Sequence, residues 1–458
     1  MATALQGDPS QAPIQAFDDL LQIFHESQRP EPEWKVGAEA EKFGVDAGSG
    51  APIDYDGERG VLRVLDALAA EHGYAAGRES ADGPIISLTR GLASVTLEPG
   101  AQLELSGSPF RSMHEIHAEL SVHMDELKRI SADMNVVWLG VGFHPLAQQK
   151  DLPWVPKQRY AIMREFLPSR GRRGVDMMRR TATVQANFDY SGEEDAMRKL
   201  GVCLRTGPIM NAIFANSPFL EGRLAGRVSE RGAVWLEMDP DRSGMILDLA
   251  SKRLASYADY AEWALDAGMF FFKRDGQIVA NTGQTFRSFM RDGFQSHRAT
   301  LGDWVFHLNT LFPEARLKRT LEVRSCDSLP ARLTTCVAAL YTGLLYDAQA
   351  LAEAEELSFS YALPALAAAR EQLVTHGIRA EFDGVSVRSL AERLIDISRG
   401  GLSRRALLDA DGRDENIHLA PIAELVGSGK MPADLLTQGL ESATPSQIRA
   451  AVLERAQV

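Results

Sequence analysis

The stretch TLEPGAQLELS, Thr96–Ser106, alternates polar and apolar residues on both sides of a Pro-Gly break. A period of two is that of a β-strand, which puts polar side chains on one face and apolar side chains on the other. Glu98 and Glu104 therefore share a face that carries acids and an amide but no cation. We interpret this face as one wall of a site for metal ions and a nucleotide.

Three further stretches that we predict to be strands show polar faces of the same kind. Their polar positions are Glu39 and Glu41 in Val36–Val45, Thr183, Gln185 and Asn187 in Thr181–Phe188, and Lys318, Glu322 and Arg324 in Leu317–Arg324. One interpretation is a sheet that is simply wet on one side. The narrow choice of residues favours a cluster instead, because converging carboxylates repel one another unless cations lie between them.

The chemistry of this cluster points to metal ions and phosphates. Hard oxygen ligands without soft ligands are typical of Mg²⁺ or Mn²⁺ rather than Zn²⁺. Carboxylates beside arginine and lysine indicate a triphosphate held by about two or three metal ions, with cations on the transferring phosphoryl group. No G-x-x-x-x-G-K-[ST] loop, strand-linked G-x-G-x-x-G or G-x-S-x-G occurs, which argues against P-loop, Rossmann and α/β-hydrolase sites.

The order of the predicted elements indicates an α+β fold. Strands and helices do not alternate as βαβ units, so we expect an antiparallel sheet with helices packed on one face. Residues 1–14 are predicted to form a flexible arm. Residues 15–458 are predicted to form one catalytic domain, which becomes helical from about residue 331.

The composition is that of an acidic globular protein. The 458 residues carry a formal net charge of −13, which disfavours a nucleic-acid or anionic-membrane partner. The apolar runs are too short to cross a bilayer. No signal peptide is visible, and three cysteines without metal-ligand spacing are typical of free thiols in a reducing compartment. We therefore expect a cytoplasmic protein.

Two further segments could bind ligands. Arg170–Arg180 holds five arginines, and both a solvated face and an anion-binding role are open for it. Its first part, Arg170–Gly174, is a candidate lid. His114 and His117 could ligate one metal ion, but hydrogen-bonded or solvated helix histidines are favoured because no third ligand is in view.

Several ordered blocks resemble one enzyme family. They are GAEAEKFGV, TLEPGAQLELSGSP, GVGFHP with KDLPWVPKQRYAIMREFLP, DMMRRTATVQANFDY, IFANSPFLEG, WLEMDPDRSGM and RLKRTLEVRSCD. In this order, over roughly residues 35–350, they closely resemble the plant-type glutamate–cysteine ligases of plants and many proteobacteria. The resemblance implies a glutamine-synthetase-like fold, in which a curved antiparallel sheet forms a bowl with the active site on its concave face and helices behind.

The resemblance also implies an activity and a site. The family makes γ-glutamylcysteine from glutamate, cysteine and ATP through a γ-glutamyl phosphate, the first step of glutathione biosynthesis. Matched by motif, the residues implied are Glu39, Glu41, Glu98, Glu104, Gln185 and Glu322 for metal ions, Arg231 and Trp235 for glutamate, Arg179 and Arg180 for anionic substrate groups, Lys318 and Arg324 for ATP, and Arg324 as the catalytic contact to the transferring phosphate. Gln185 lies where more distant ligases of this fold place a metal-binding histidine.

Two alternatives stay open. A ligase of the same fold that uses another acceptor amine would carry the same catalytic strands. A nucleotide-binding protein without activity is disfavoured, because the acidic positions and Arg324 are intact. The partners expected are glutamate, cysteine and ATP with Mg²⁺ or Mn²⁺, for a monomer or homodimer. Plant members carry regulatory disulfides, and Cys203, Cys326 and Cys336 do not form a pair on that pattern.

Overall fold

A computed structural model describes residues 11–80 and 82–458, and within them nine strands form one open antiparallel sheet. The strands are β1 (Val36–Asp46), β2 (Ala75–Arg78), β3 (Ile85–Arg90), β4 (Ala93–Leu97), β5 (Leu103–Ser106), β6 (Val136–Leu139), β7 (Val184–Phe188), β8 (Ala315–Leu317) and β9 (Leu321–Val323). Their order is β8-β9-β7-β1-β5-β4-β3-β2, and β6 pairs with the second half of β1.

The register of the sheet brings the polar positions of all four predicted stretches together. Residues directly opposite each other in paired strands share a face. The facing pairs are Thr96 with Glu104, Glu104 with Glu41, Glu39 with Gln185, and Asn187 with Glu322. One continuous polar face therefore runs across β4, β5, β1, β7 and β9.

Two of the predicted strands are hairpins. The chain reverses at Pro99-Gly100, where the Glu98 N–H donates to the Gln102 carbonyl at 2.9 Å and Ala101 has a φ of 64°. Proline lacks the N–H that a ladder needs, so the Pro-Gly pair ends β4 instead of bending it. A second reversal separates β8 from β9 and puts Lys318 in the turn between them.

Helices make up most of the remaining chain. In the first two thirds they are α1 (Gln22–Glu26), α2 (Val61–His72), α3 (Met113–Ala132), α4 (Gln158–Phe166), α5 (Gly174–Arg180), α6 (Glu193–Ile213), α7 (Glu230–Leu236), α8 (Leu247–Ala250), α9 (Tyr257–Asp266), α10 (Phe286–Asp292) and α11 (Leu301–Leu308). After the sheet they are α12 (Ala331–Leu345), α13 (Ala348–Phe359), α14 (Leu363–Ala368), α15 (Arg370–His376), α16 (Val387–Arg405), α17 (Ala420–Gly427), α18 (Pro432–Thr437) and α19 (Pro445–Arg455). Among residues 11–80 and 82–458, no helix combines the length and apolar character needed to cross a membrane.

Shorter elements connect these helices. The 3₁₀ helices are Phe17–Leu21, Glu31–Glu33, Gln149–Asp151, Leu167–Ser169, Gly377–Arg379 and Glu415–His418. The two-stranded ladders are Phe219–Leu220 with Arg223–Leu224, Ser243–Gly244 with Phe312–Pro313, Phe271–Arg274 with Gln277–Ala280, and Glu381–Phe382 with Val385–Ser386. The ladder of Ser243–Gly244 with Phe312–Pro313 is parallel and anchors the segment that leads into β8.

The apolar face of the sheet is covered by helices. Ala38, Leu105 and Ala186 lie on this face and are at most 4% exposed. Helix α12 packs against β1 and β7, while α6 packs against β8 and β9. Burial of this face is the main favourable term holding the layers together. The arrangement confirms the predicted α+β fold with an antiparallel sheet.

The predicted N-terminal arm is described only in part. Residues 1–10 lie outside the described residues. The segment that follows is bonded to the domain: the Ile14 N–H donates to the Ala299 carbonyl at 3.2 Å, and the Leu301 N–H donates to the Ala12 carbonyl at 3.0 Å. The division into an arm and a single domain stays a prediction.

The close crossing of α12 and α16 depends on glycine. A Cβ added to Gly401 would overlap the carbonyl oxygen of Gly343, which is backbone and cannot yield cheaply. We expect Gly401→Ala to lower the free energy of unfolding by about 1–3 kcal/mol, as overpacking does. Gly201→Ala in α6 is the matched control, since its Cβ meets nothing within 4 Å, and it should stabilise by about 0.5–1 kcal/mol. Urea denaturation measures both, and equal effects would contradict this account of the crossing.

Candidate active site

The polar face has an acidic half built from Glu41, Glu98 and Glu104. Glu104 Oε2 accepts from Thr96 Oγ1 at 2.5 Å, and Glu41 Oε2 accepts from the Thr183 N–H at 3.0 Å. Burial, with repulsion from the other two carboxylates, raises the pKa of Glu41 well above its usual range. Burial and the Glu104 charge raise the pKa of Glu98 in the same direction. Nearby cations such as Lys157 and Arg324 do not outweigh burial and repulsion, so ionisation of the acidic half is disfavoured.

A divalent cation fits this chemistry. Positive charge between the carboxylates would relieve their repulsion, and oxygen ligands suit Mg²⁺. Within the described ranges, no group of three or more carboxylate, histidine or cysteine side chains is placed with metal-ligand geometry. Holding an ion therefore requires the glutamate side chains to turn towards one another. The metal roles of Glu39, Glu41, Glu98 and Glu104 stay predictions.

The other half of the face is a cationic cluster around Glu322. This carboxylate is fully buried, with Arg316 Nη2 and Lys318 Nζ each 2.6 Å from its oxygens and Arg324 Nη1 in contact as well. Burial opposes ionisation of Glu322, but the three cations hold its pKa well below its usual range. Glu322 is therefore already neutralised by protein, unlike the acidic half. Its predicted role as a metal ligand stays a prediction.

Gln185 connects the two halves. Its Oε1 accepts from Arg324 Nη1 at 2.6 Å, and its Nε2 donates to Glu41 Oε1 at 3.5 Å. Asn187, two residues further along β7, makes a similar contact and donates to Glu39 Oε1 at 2.8 Å. The Arg324 guanidinium is therefore positioned at the boundary between the carboxylates and the cation cluster, where a phosphate would meet both.

A cavity lies beside Arg324 on the side of α7. Arg231 and Trp235, one helical turn apart on α7, both line it. Arg231 is fixed from behind, since its guanidinium donates to the carbonyls of Arg324 at 2.8 Å and Ser325 at 3.1 Å. Arg231 Nε and Trp235 Nε1 are buried donors without a hydrogen-bond partner among the described residues. Unpartnered buried donors are costly unless a ligand accepts from them.

Comparison with known proteins identifies the family. A family model described as "Glutamate-cysteine ligase family 2(GCS2)" matches residues 35–454. The chain belongs to this family. It is 36% identical over 423 residues to a chloroplastic glutamate–cysteine ligase of Medicago truncatula, covering 92% of this chain and 81% of that one. It is 37% identical over 428 residues to glutamate–cysteine ligase B of Oryza sativa subsp. japonica, covering 92% and 83%.

A solved structure supports the fold. The glutamate–cysteine ligase of Francisella tularensis in complex with AMP aligns with a TM-score of 0.53 at 14% identity, covering 92% of this chain and 88% of that one. At this identity the likeness concerns the fold alone. The resemblance drawn from the sequence blocks to the glutamate–cysteine ligases is confirmed by the family match.

The cytoplasmic location predicted from the sequence is wrong in the light of these relatives. Those of Medicago truncatula, Oryza sativa and Brassica juncea are chloroplastic proteins. The physical reason is that a folded domain carries no address of its own, and free thiols suit any reducing compartment. The three cysteines are indeed free and buried, as expected.

The arginine-rich segment of this family member contacts its own neighbours. Arg179 Nε donates to the Pro153 carbonyl at 3.2 Å and its guanidinium lies 4.6 Å from the centre of the Trp154 ring. Arg180 donates to the Ala147 carbonyl at 2.8 Å and lies 3.3 Å from Glu221. Neither arginine lines the cavity of Arg231 and Trp235. Their role in substrate binding stays a prediction that this geometry does not support.

The candidate lid is tied down by ion pairs. Arg170 pairs with Asp239 and Asp241, Arg172 with Glu237, and Arg173 with Glu230. All of these acids lie in α7 or directly after it. The segment therefore braces the helix that carries Arg231 and Trp235, which is a third possibility besides solvation and anion binding.

The histidines considered as metal ligands form a hydrogen-bonded cluster. A third imidazole, that of His418, was not predicted from the sequence. Its Nε2 lies 2.8 Å from His114 Nδ1. His117 Nδ1 lies 3.1 Å from Thr335 Oγ1. This contact agrees with the favoured interpretation of hydrogen-bonded histidines.

Some residues near the site escaped the sequence analysis. Arg316 follows the same alternation as Lys318 but lies on β8. We predicted a single strand over Leu317–Arg324, so this separate strand was missed. Lys157 donates to the Leu97 carbonyl at 2.7 Å beside Glu98. Burial and Arg159 lower the pKa of Lys157 to about 7, against the attraction of Glu98. The proline-punctuated loop ending in KQRY was the available signal for Lys157.

The raised pKa of Glu98 has a consequence for stability. When folding raises the pKa of a carboxyl group, the free energy of unfolding falls as the pH rises from the unfolded pKa, about 4.3, through the folded pKa. Without divalent metal, Glu98→Gln should therefore be more stable than the natural protein at pH 7–8, and the difference should shrink as the pH falls towards 4. Thermal unfolding between pH 4 and 8 measures this, and the exposed Glu71→Gln is the control. A loss of stability in Glu98→Gln at pH 7–8 would contradict the repulsion.

Proposed function

We propose that the chain joins the γ-carboxyl of L-glutamate to the amine of L-cysteine at the expense of ATP, the first step of glutathione biosynthesis. Membership of the glutamate–cysteine ligase family supports this proposal. The observation that carries it is the meeting, around Arg324, of an under-neutralised acidic half, a cation cluster and a cavity with unpartnered donors.

The chemistry explains why such a site is needed. A carboxylate is a poor electrophile because oxide is a poor leaving group. Transfer of the γ-phosphoryl group of ATP to a glutamate γ-carboxylate oxygen forms an acyl phosphate and releases ADP. The cysteine amine then attacks the acyl carbon, phosphate leaves with the electrons of the broken C–O bond, and the nitrogen loses a proton. Phosphoryl transfer depends almost entirely on positioning and charge stabilisation.

The chain's residues divide this work. Arg231 and Trp235 would bind a substrate carboxylate through their unpartnered donors. Arg324 would contact the transferring phosphoryl group, where a planar guanidinium can make two parallel hydrogen bonds. Lys318 would contact the phosphates of ATP from the turn before β9. Glu322 holds Lys318 and Arg324 in place from beneath.

The acidic half is proposed to hold the metal cofactor. Glu39, Glu41, Glu98 and Glu104 would bind about two or three Mg²⁺ ions, or Mn²⁺ in their place, with Gln185 beside them. Bound Mg²⁺ would neutralise charge on the phosphates. The proposed partners are these small molecules, and a monomer or homodimer remains the expectation for the assembly.

An amine screen tests the activity. The purified protein is incubated with L-glutamate, MgATP and a panel of amines: L-cysteine, L-2-aminobutyrate, glycine and cysteamine. We expect L-cysteine to give phosphate and a product whose mass equals glutamate plus cysteine minus water. If another amine is consumed well and no γ-glutamylcysteine forms, the acceptor is wrong. ATP binding without phosphate release for any amine would instead indicate a binding protein.

Replacement of Arg324 tests its role at the phosphate. Lysine is a point charge that cannot make the bidentate contact, so Arg324→Lys should lower kcat by about a hundred- to a thousandfold, or roughly 3–4 kcal/mol. The matched control is Arg319→Lys in the same hairpin, where the side chain is exposed. Thermal unfolding checks that both variants fold. Full activity in Arg324→Lys would remove the arginine from the phosphate contact.

A further inference from the structure

The cavity beside Arg324 carries a distinctive set of charges. Among the described residues that line it, the charged ones are Arg231, Glu314, Arg324 and Arg370. One carboxylate thus stands among three guanidinium groups. L-glutamate carries groups of both opposite signs, two carboxylates and one ammonium, whereas ATP offers no positive group to a carboxylate. The lining therefore matches an amino acid better than a nucleotide.

Glu314 is held firmly in this wall. Its carbonyl accepts from the Arg324 N–H at 3.0 Å, and its N–H donates to the Gly244 carbonyl at 2.9 Å. Its Oε2 accepts from Ser325 Oγ at 2.7 Å, while its Oε1 pairs with Arg370. An ionised carboxylate has about four acceptor positions. The side-chain donors occupy one on each oxygen, so the Glu314 carboxylate keeps capacity for an ammonium.

Arg370 lies at the entrance. It is the first residue of α15, its side chain is 21% exposed, and it lines both the cavity and a wider groove outside, together with Trp235 and Gly244. Arg370 therefore lies where the cavity adjoins the outer groove. The pair of Arg370 and Glu314 presents a cation and an anion side by side, which can pair with the carboxylate and the ammonium of a zwitterion.

We propose that Glu314 recognises the α-ammonium group of the amino-acid substrate, and that Arg370 holds the Glu314 carboxylate in place at the entrance. The inference rests on the proposed function and deepens it. The unpartnered donors of Arg231 and Trp235 take a carboxylate of the same molecule. Glu314 thereby makes the site selective for an amino acid over a dicarboxylic acid that lacks the amine.

Direct binding distinguishes this role without requiring turnover. Calorimetry compares L-glutamate with glutarate, which lacks only the α-ammonium, in the presence of Mg²⁺ and a non-hydrolysable ATP analogue. The natural protein should prefer L-glutamate. In Glu314→Gln we expect roughly a tenfold to hundredfold loss of affinity for L-glutamate and an unchanged affinity for glutarate, as expected for a lost hydrogen bond between charged groups.

Two further variants separate recognition from stability. Glu355→Gln removes a similarly buried carboxylate from its pair with Arg198, neither of which lines the cavity, and should keep the preference for L-glutamate. The exchange Glu314→Arg with Arg370→Glu restores an ion pair but reverses its direction. Thermal unfolding should recover in this double variant, whereas the preference for L-glutamate should not.

Each contrary result overturns the inference. These are no preference in the natural protein, a preference retained in Glu314→Gln, a preference restored by the charge exchange, or a loss of affinity for the ATP analogue instead of L-glutamate. The amine screen reads turnover and this experiment reads binding. A failed screen with the expected binding pattern would refute the ligase activity and leave the amino-acid site standing.

Discussion

Two glutamates that face each other across β1 and β5 set the constraint on which the site depends. Glu41 and Glu104 are direct partners in the antiparallel register, and both are largely buried. Like charges in this position destabilise a sheet. The protein holds them through neutral donors such as Thr96 and the Thr183 N–H. A pair kept in this state makes physical sense where positive charge arrives with a ligand.

A few strands away on the same face, the negative charge of a buried carboxylate is compensated in a different way. Glu322 on β9 is neutralised by protein cations, while Glu41 and Glu98 are left with raised pKa values. Gln185 joins the two halves because an amide can accept from Arg324 and donate to Glu41 without adding charge. A polyphosphate with metal ions is the kind of ligand that would span such a boundary.

Support for the cavity beside Arg324 comes from outside the sheet. Helix α7 is held on one side by the ion pairs of Arg170, Arg172 and Arg173. From within, Arg231 is held by the carbonyls of Arg324 and Ser325, directly after β9. Bracing of this sort keeps binding groups in place before a ligand arrives, which reduces the entropy lost on binding.

The sequence by itself determined the polar face, because period two is a local property that needs no partner strand. It also indicated the family, through ordered blocks such as TLEPGAQLELSGSP, and it predicted Glu41 and Arg324 as site residues. Only the tertiary structure decided that Pro99-Gly100 is a reversal, so that Glu98 lies directly after β4 and Glu104 lies on β5, the strand paired with it. The tertiary structure also decided the pairing register, the cations around Glu322 and the ion pair of Glu314 with Arg370. In each case the residues are brought together by a chain reversal or by helices distant in sequence. Contacts of this kind leave no periodic trace in the sequence, because they depend on how the layers pack and not on any local preference.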